Sequence, residues 1–182
     1  MLWGRAELLA SLTAYKVRPA SIDPPAVRFE TGTPSFEGQA GTLGTLDYLQ
    51  WLGGAVSPQP PASRRAALIA AMEAIAAYEQ ELGTRLLEGL ARINGARLYG
   101  PPTMAGRVPT FAFTLEGHAP GAVAAHLARH RIHAWSGHFY AVEPVRRLGL
   151  ADQGGLVRVG LCHYSTMAEV EQLLEVLGAI GG

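Results

Sequence analysis

The period of the hydrophobic pattern changes once along this chain, near Gly95, and the change restricts the folds open to it. Between Leu68 and Ile93, leucine, isoleucine and methionine recur every three or four residues, which predicts one long helix that Ser63 can cap. Beyond Gly95, short β-like runs alternate with helices. This order predicts an α+β fold in which helices pack on a small mixed β-sheet.

The half of the chain after Gly95 is predicted to hold four strands and two helices. The strands are expected at Ala96 to Tyr99, Val108 to Leu115, Ile132 to Trp135 and Leu156 to Leu161. One helix is predicted from Pro120 to Arg131, and a second begins at a capping box formed by Thr166 and Glu169.

Residues 1–62 have a different character. They predict a short helix from Gly4 to Ala14, a proline-rich extended stretch, and a helix from Gln39 to Leu52 that the Gly53-Gly54 pair ends. Helices joined by proline- and glycine-rich chain need another domain to pack against. We therefore expect residues 1–62 to be a remnant of a larger domain with its connection, and residues 63–182 to form a compact smaller domain.

Charge and composition argue against several classes of protein. Fifteen basic and fifteen acidic residues cancel, so no net field attracts the chain to nucleic acid or to an anionic membrane. No stretch of about eighteen apolar residues is present, and Arg5 and Glu7 interrupt the apolar run that a signal peptide requires. The single cysteine, Cys162, cannot form an internal disulfide. A cytoplasmic protein is expected.

Two segments suggest binding chemistry. Gly32 lies between two threonines in RFETGTP, just before a predicted helix, and backbone donors with small hydroxyls at such a place suit a phosphate, although an ordinary capped turn also accounts for the pattern. Arg158 lies in the apolar strand LVRVGL. Its guanidinium either pairs with an internal acid or binds a ligand carboxylate, and the residues alone leave both interpretations open.

The histidines and the cysteine do not predict a metal site. His126 and His130 are four residues apart on a helix, but the glutamate of a zinc-protease motif is missing and arginines flank His130, so a solvated helix face is favoured. Cys162 and His163 are neighbours on extended chain and point to opposite faces. An inert, half-buried cysteine is therefore expected.

Seven segments occur in an order that resembles the class V pyridoxal-phosphate-dependent aminotransferase family, and its cysteine desulfurase-like branch in particular. They are WGRAELL, YKVRPAS, RFETGTPSFEGQAG, YEQELGTRLLEGL, RVPTFAF, WSGHFYA and VRVGLCHYST. The chain resembles the carboxy-terminal portion of such a protein, from Leu2 to about Leu177. The resemblance implies the carboxy-terminal domain of a fold type I protein, an amino-acid substrate, pyridoxal 5′-phosphate as cofactor and a homodimeric parent.

Individual residues match the family's motifs. Gly32 and Thr33 resemble the pair that contacts the cofactor phosphate of the neighbouring subunit, and Arg158 resembles the arginine that binds the substrate's α-carboxylate. Tyr140 stands where the family's catalytic cysteine lies in a TGHHCA-like loop. A phenol cannot take up sulfur as a persulfide, which argues against desulfurase activity and leaves other pyridoxal chemistry open, such as transamination, lyase or epimerase reactions.

The family's Schiff-base lysine precedes a strand that resembles the start of this chain, and that segment is absent. Lys16 is the only lysine and occupies a different family position, in YKVRP. We therefore expect a truncated chain that is inactive alone and binds no cofactor covalently. The alternative is a stand-alone, non-catalytic interaction module with the same small-domain fold, which binds a partner through its amino-terminal segment.

Overall fold

The computed structural model describes residues 3–181, and the chain divides after Ala71 into two compact units. The first unit contains α1 (Ala6–Ser11), α2 (Phe36–Val56) and the start of α3 (Arg64–Leu90). Ser63 caps α3 as predicted, because its Oγ accepts a hydrogen bond from the backbone N–H of Ala66 at 3.1 Å.

Helix α2 is longer than predicted at both ends. It begins directly after Ser35, whose Oγ accepts the backbone N–H of Gly38 at 3.3 Å, and it continues past the glycine pair to Val56. Gly53 is buried, and a Cβ added there would lie 1.9 Å from the carbonyl oxygen of Ala67. The expectation that Gly53-Gly54 ends the helix was therefore wrong, because Gly53 permits close approach to α3.

The second unit holds a four-stranded sheet with helices. Its further elements are β1 (Ala96–Tyr99), β2 (Thr110–Leu115), α4 (Pro120–Arg129), β3 (Trp135–Gly137), α5 (Val142–Arg147), β4 (Leu156–Gly160) and α6 (Met167–Gly181). The strand order is β1-β2-β4-β3, and all three pairings are antiparallel. The α+β fold is confirmed, but the sheet is antiparallel rather than mixed. The chain after α4 enters β3, which pairs with β4 at the sheet edge and not with β2.

Strand β2 begins two residues later than predicted and α4 ends two residues earlier, and two further differences in this unit are larger. Strand β3 begins at Trp135, since Ile132 packs against the hydrophobic core instead of pairing in the sheet. The six-residue helix α5 was not predicted, and Glu143 stabilises it through hydrogen bonds from Arg146 and Arg147. Those bonds also lower the pKa of the Glu143 carboxyl, with the Arg146 contact as the larger cause.

One face of the sheet supplies the core. Phe111 and Phe113 of β2 and Val157 of β4 are almost completely buried. They pack with side chains from three helices, including Leu82, Leu86, Leu127, Val170 and Leu177. The capping box at α6 is confirmed, because the Glu169 carboxylate accepts the N–H of Thr166 at 2.7 Å and the Thr166 hydroxyl accepts the N–H of Glu169 at 3.2 Å. Within residues 3–181, no helix combines the length and apolar character needed to span a membrane.

Candidate functional site

A row of four residues crosses the outer face of the sheet, opposite the core. Tyr99 pairs with Ala112, Ala112 pairs with Arg158, and Arg158 pairs with Trp135. Residues directly opposite one another in antiparallel strands project from the same face. Arg158 therefore lies between a small side chain and a large aromatic one, on a strand whose alternate residues, Val157 and Val159, point into the core.

The guanidinium of Arg158 lies over an aromatic ring and has no acidic partner among the described residues. Its Cζ lies 4.6 Å from the ring centroid of Phe139, which is within the range of a cation–π contact. Among residues 3–180, no carboxylate lies within ion-pair distance of Arg158. Arg158 lines a cavity of about 480 Å³ together with Thr110, His133 and Trp135. Its nitrogen donors are thus available to a ligand.

Phe139 belongs to an unusual loop between β3 and α5. Phe139 and Tyr140 both have left-handed backbone conformations, with φ angles of 52° and 62°. The imidazole Nδ1 of His138 accepts the N–H of Tyr140 at 3.1 Å, and the carbonyl of His138 accepts the N–H of Ala141 at 2.6 Å. The Tyr140 side chain is 98% exposed. The loop therefore turns Phe139 inward and Tyr140 outward.

Gly32 and Thr33 lie in the first unit, before α2. Gly32 has a φ of +90°, and a Cβ added to it would meet no atom within 4 Å. Both residues line a cavity of about 740 Å³ that also includes Ser35, Thr42 and Glu30. Open backbone, hydroxyl groups and the start of a 21-residue helix fit a phosphate contact, while the Glu30 carboxylate is the unfavourable neighbour there.

The amine of Lys16 is engaged elsewhere. Its Nζ donates to the carbonyl oxygen of Ser21 at 2.7 Å and to that of Val27, which ties together the proline-rich segment between α1 and α2. Since Lys16 is the only lysine, the residues of this chain do not fit a covalent link to an aldehyde cofactor. They fit, at most, a contact with its phosphate.

The other candidate groups are placed as follows. The rings of His126 and His130 lie 4.9 Å apart, and Arg129 Nη2 donates to His126 Nδ1 at 3.1 Å. Partial desolvation, followed by the charges of Arg129 and His130, lowers the pKa of His126. Among the described residues, His, Cys, Asp and Glu form no group of three or more that suits a metal ion. Cys162 is half-buried as predicted, 3.9 Å from the hydroxyl of Ser165.

Sequence reasoning missed two members of the site, Phe139 and Trp135. The position of Trp135 follows from the register of β3 against β4, which strand alternation alone does not give. The position of Phe139 depends on two left-handed residues that the sequence SGHFYA does not suggest, since neither is glycine.

Comparisons with known proteins agree on the family. The model of the aminotransferase class-V family matches residues 62–173. A cysteine desulfurase from Synechococcus elongatus is 33% identical over 96% of this chain and 23% of its own length. The solved apo cysteine desulfurase from Thermococcus onnurineus has a TM-score of 0.68 at 28% identity, over 87% of this chain and 34% of that one.

A second solved structure, the cysteine desulfurase CsdA from Escherichia coli, shares the fold. Its TM-score is 0.69 at 20% identity, over 97% of this chain and 41% of that one. The chain therefore spans between 23% and 41% of the length of these three proteins.

Proposed function

This chain belongs to the class-V aminotransferase family, and from that premise we propose that it is the carboxy-terminal portion of a cytoplasmic pyridoxal-phosphate enzyme that acts on an amino acid. In this role Arg158 binds the α-carboxylate of the substrate. Gly32 and Thr33 contact the cofactor phosphate of the neighbouring subunit in a homodimer. The cofactor, when bound, withdraws electrons from the substrate's α-carbon, and the residues of this chain bind and orient.

The proposal rests on one observation. The guanidinium of Arg158 is exposed and has no acidic partner among the described residues. Arg158 is the exposed residue between the buried Val157 and Val159, so its charge stays hydrated and needs no acid partner within the chain. Here the described residues supply only the ring of Phe139, at 4.6 Å. Arginine presents its N–H donors as a planar fork that matches both oxygens of a carboxylate. A fixed carboxylate anchor orients the bond that reacts at the α-carbon.

The proposed cofactor contact rests on the segment from Gly32 to Ser35. It is exposed, it precedes α2, and Gly32 leaves its backbone open to a ligand. Backbone N–H groups at the start of a helix favour a phosphate because they point outward with the positive end of the helix dipole. The contribution is a non-covalent contact, since Lys16 is occupied by two carbonyl oxygens.

Tyr140 restricts the range of reactions that we propose for the parent enzyme. Sulfur abstraction by a cysteine desulfurase needs a thiolate nucleophile, and Tyr140 presents a phenol at the matching loop position. The half-buried Cys162 lies outside that loop, after β4. We therefore assign the parent to another reaction of amino acids, such as transamination, elimination or epimerisation.

The carboxylate role of Arg158 is tested by titrating the chain with L-alanine and following backbone amide signals of Thr110, Trp135 and Gly160 by NMR. Replacing Arg158 with lysine removes the bidentate fork, so the dissociation constant should rise about tenfold. Arg97→Lys is the matched control, since Arg97 also stacks on an aromatic ring, that of Tyr99, at 5.1 Å. Equal binding by wild type and Arg158→Lys contradicts the assignment, as does equal loss in the control.

A stand-alone interaction module is the second candidate. The observation in its favour is the exposure of large aromatic side chains in the first unit, with Trp3 81%, Tyr15 93% and Trp51 63% exposed. Such exposed aromatic side chains are available to pack against a partner. The coding sequence upstream of Met1 separates the candidates. A reading frame that continues through a serine-x-histidine-lysine motif rules out the module.

A further inference from the structure

We infer that the loop of residues 138–141 is a positioning element for the carboxylate anchor, with Phe139 as the residue that holds Arg158. The inference rests on the proposed function of Arg158 and deepens it. In cysteine desulfurases the matching loop presents a catalytic cysteine. In this chain the same loop presents an aromatic ring to the guanidinium.

The stack fixes the guanidinium without using its hydrogen-bond donors. A cation–π contact is an attraction between the positive charge and the ring, so it uses none of the guanidinium N–H groups as hydrogen-bond donors. An aspartate or glutamate would also restrain Arg158, but it would occupy the donors that a substrate needs. Phe139, at 4.6 Å, restrains the side chain and leaves the planar fork free.

The packing around the loop supports this role. Phe139 is half-buried against a small hydrophobic cluster that includes Val145, Leu150 and Leu156, and this packing restrains its ring. Ala112, which pairs with Arg158 across the sheet, packs against the same cluster. Its small side chain leaves room for the ring beside the guanidinium.

The backbone of the loop is strained at the residue that contacts Arg158 and at the residue after it. Two consecutive bulky residues, Phe139 and Tyr140, adopt left-handed conformations that ordinarily favour glycine. Such strain persists where the surroundings over-determine the conformation, and it concentrates at functional sites. Here the conformation is held by the two hydrogen bonds that His138 accepts and by the packing of Phe139 against the hydrophobic cluster. Relaxing Phe139 to an extended conformation would change the direction in which its ring projects.

The contact is tested on the 182-residue chain by NMR of the arginine side chains. The Cζ of Arg158 lies over the Phe139 ring in the wild type, so the signals of the neighbouring δ and ε protons should be shifted upfield. Phe139→Leu should abolish the upfield shift, while Phe139→Tyr should retain it. The signals of Arg97, which stacks on Tyr99, provide the internal control and should stay constant. Arg158 signals that are the same in wild type and Phe139→Leu overturn the inference.

Positioning is tested by the affinity for L-alanine. Phe139→Leu should raise the dissociation constant about fivefold, as expected for loss of a partly exposed cation–π contact, and Phe139→Tyr should restore it. Unchanged affinity in Phe139→Leu overturns the inference and leaves the carboxylate role of Arg158 intact. A wild-type chain that does not respond to L-alanine overturns the carboxylate role of Arg158, and the inference with it. Thermal midpoints of both variants confirm that they fold.

Discussion

Two cations of the first unit bind backbone carbonyl groups in the proline-rich segment and near the end of α1. Lys16 Nζ donates to the carbonyls of Ser21 and Val27, and Arg28 Nη1 donates to the carbonyl of Ala10 at 2.8 Å. Prolines in this segment remove backbone N–H donors, so its carbonyl groups need partners from side chains or water. Lys16 therefore has a structural role, unlike a lysine whose free amine binds an aldehyde cofactor covalently.

This role predicts a low reactivity of Lys16. When the native chain is incubated with pyridoxal 5′-phosphate and then treated with borohydride, Lys16 should be labelled about tenfold more slowly than in urea-unfolded chain, because labelling breaks its hydrogen bonds. Peptide mass spectrometry measures both rates, and the amino-terminal amine of the same chain serves as the reference. Fast native labelling of Lys16 together with turnover of an amino acid would refute the structural role.

His126 predicts a pH dependence of stability. Its folded pKa is lowered from the usual 6.5 by desolvation and by the neighbouring Arg129 and His130. Below 6.5 the unfolded chain therefore binds more protons at this position than the folded chain does, so stability should fall as the pH drops from 6.5 through the lower folded value.

The prediction is checked by thermal midpoints between about pH 7.5 and 5, which span the ordinary titration range of histidine. His126→Gln should flatten the fall in this window. Gln153→His, which adds an exposed histidine in the same unit, controls for the general effect of an additional titrating group. An identical slope in wild type and His126→Gln would show that His126 is not the group responsible.

At the scale of elements, α2 and α3 approach each other at one glycine. A Cβ at Gly53 would lie 1.9 Å from the carbonyl of Ala67, whereas a Cβ at Gly54 would meet nothing within 4 Å. Gly53→Ala should therefore lower the free energy of unfolding by about 1–3 kcal/mol through overpacking. Gly54→Ala should raise it by about 0.5–1 kcal/mol through helix propensity. Urea denaturation followed by circular dichroism measures both, and effects of the same sign would contradict the close approach.

The elements that the sequence predicted well are those with local signals. Ser63 and the Thr166–Glu169 pair mark helix starts through side chains that lie within four residues of the groups they cap. Features that depend on contacts between residues far apart in the sequence could not be predicted. The role of Gly53 depends on the backbone of Ala67, and the position of Trp135 depends on its pairing with Arg158. The same holds for the candidate site. A sequence motif suggested Arg158, whereas the contact between Phe139 and Arg158 became visible only in the fold.

At the scale of the whole molecule, burial is distributed very unequally. Among the buried apolar residues of the described chain, only Ala67 and Ala71 belong to the first unit, and the large buried side chains such as Phe111 and Leu86 all belong to the second. Alanine contributes little apolar area, so the first unit has no core comparable with that of the second. Helix α2 is held by local hydrogen bonds, its Ser35 cap and the contact at Gly53.

This inequality predicts two levels of protection in hydrogen exchange. Amides of α2 should exchange on the order of a hundredfold faster than those of β2 and β4, because regions with few buried contacts open locally without global unfolding. Mass spectrometry of peptides from both units, at several protein concentrations, measures the difference. Slow exchange of α2 that persists on dilution contradicts the prediction. Protection of α2 that rises with concentration would instead show that α2 is covered when the chain self-associates, in line with the proposed homodimeric parent.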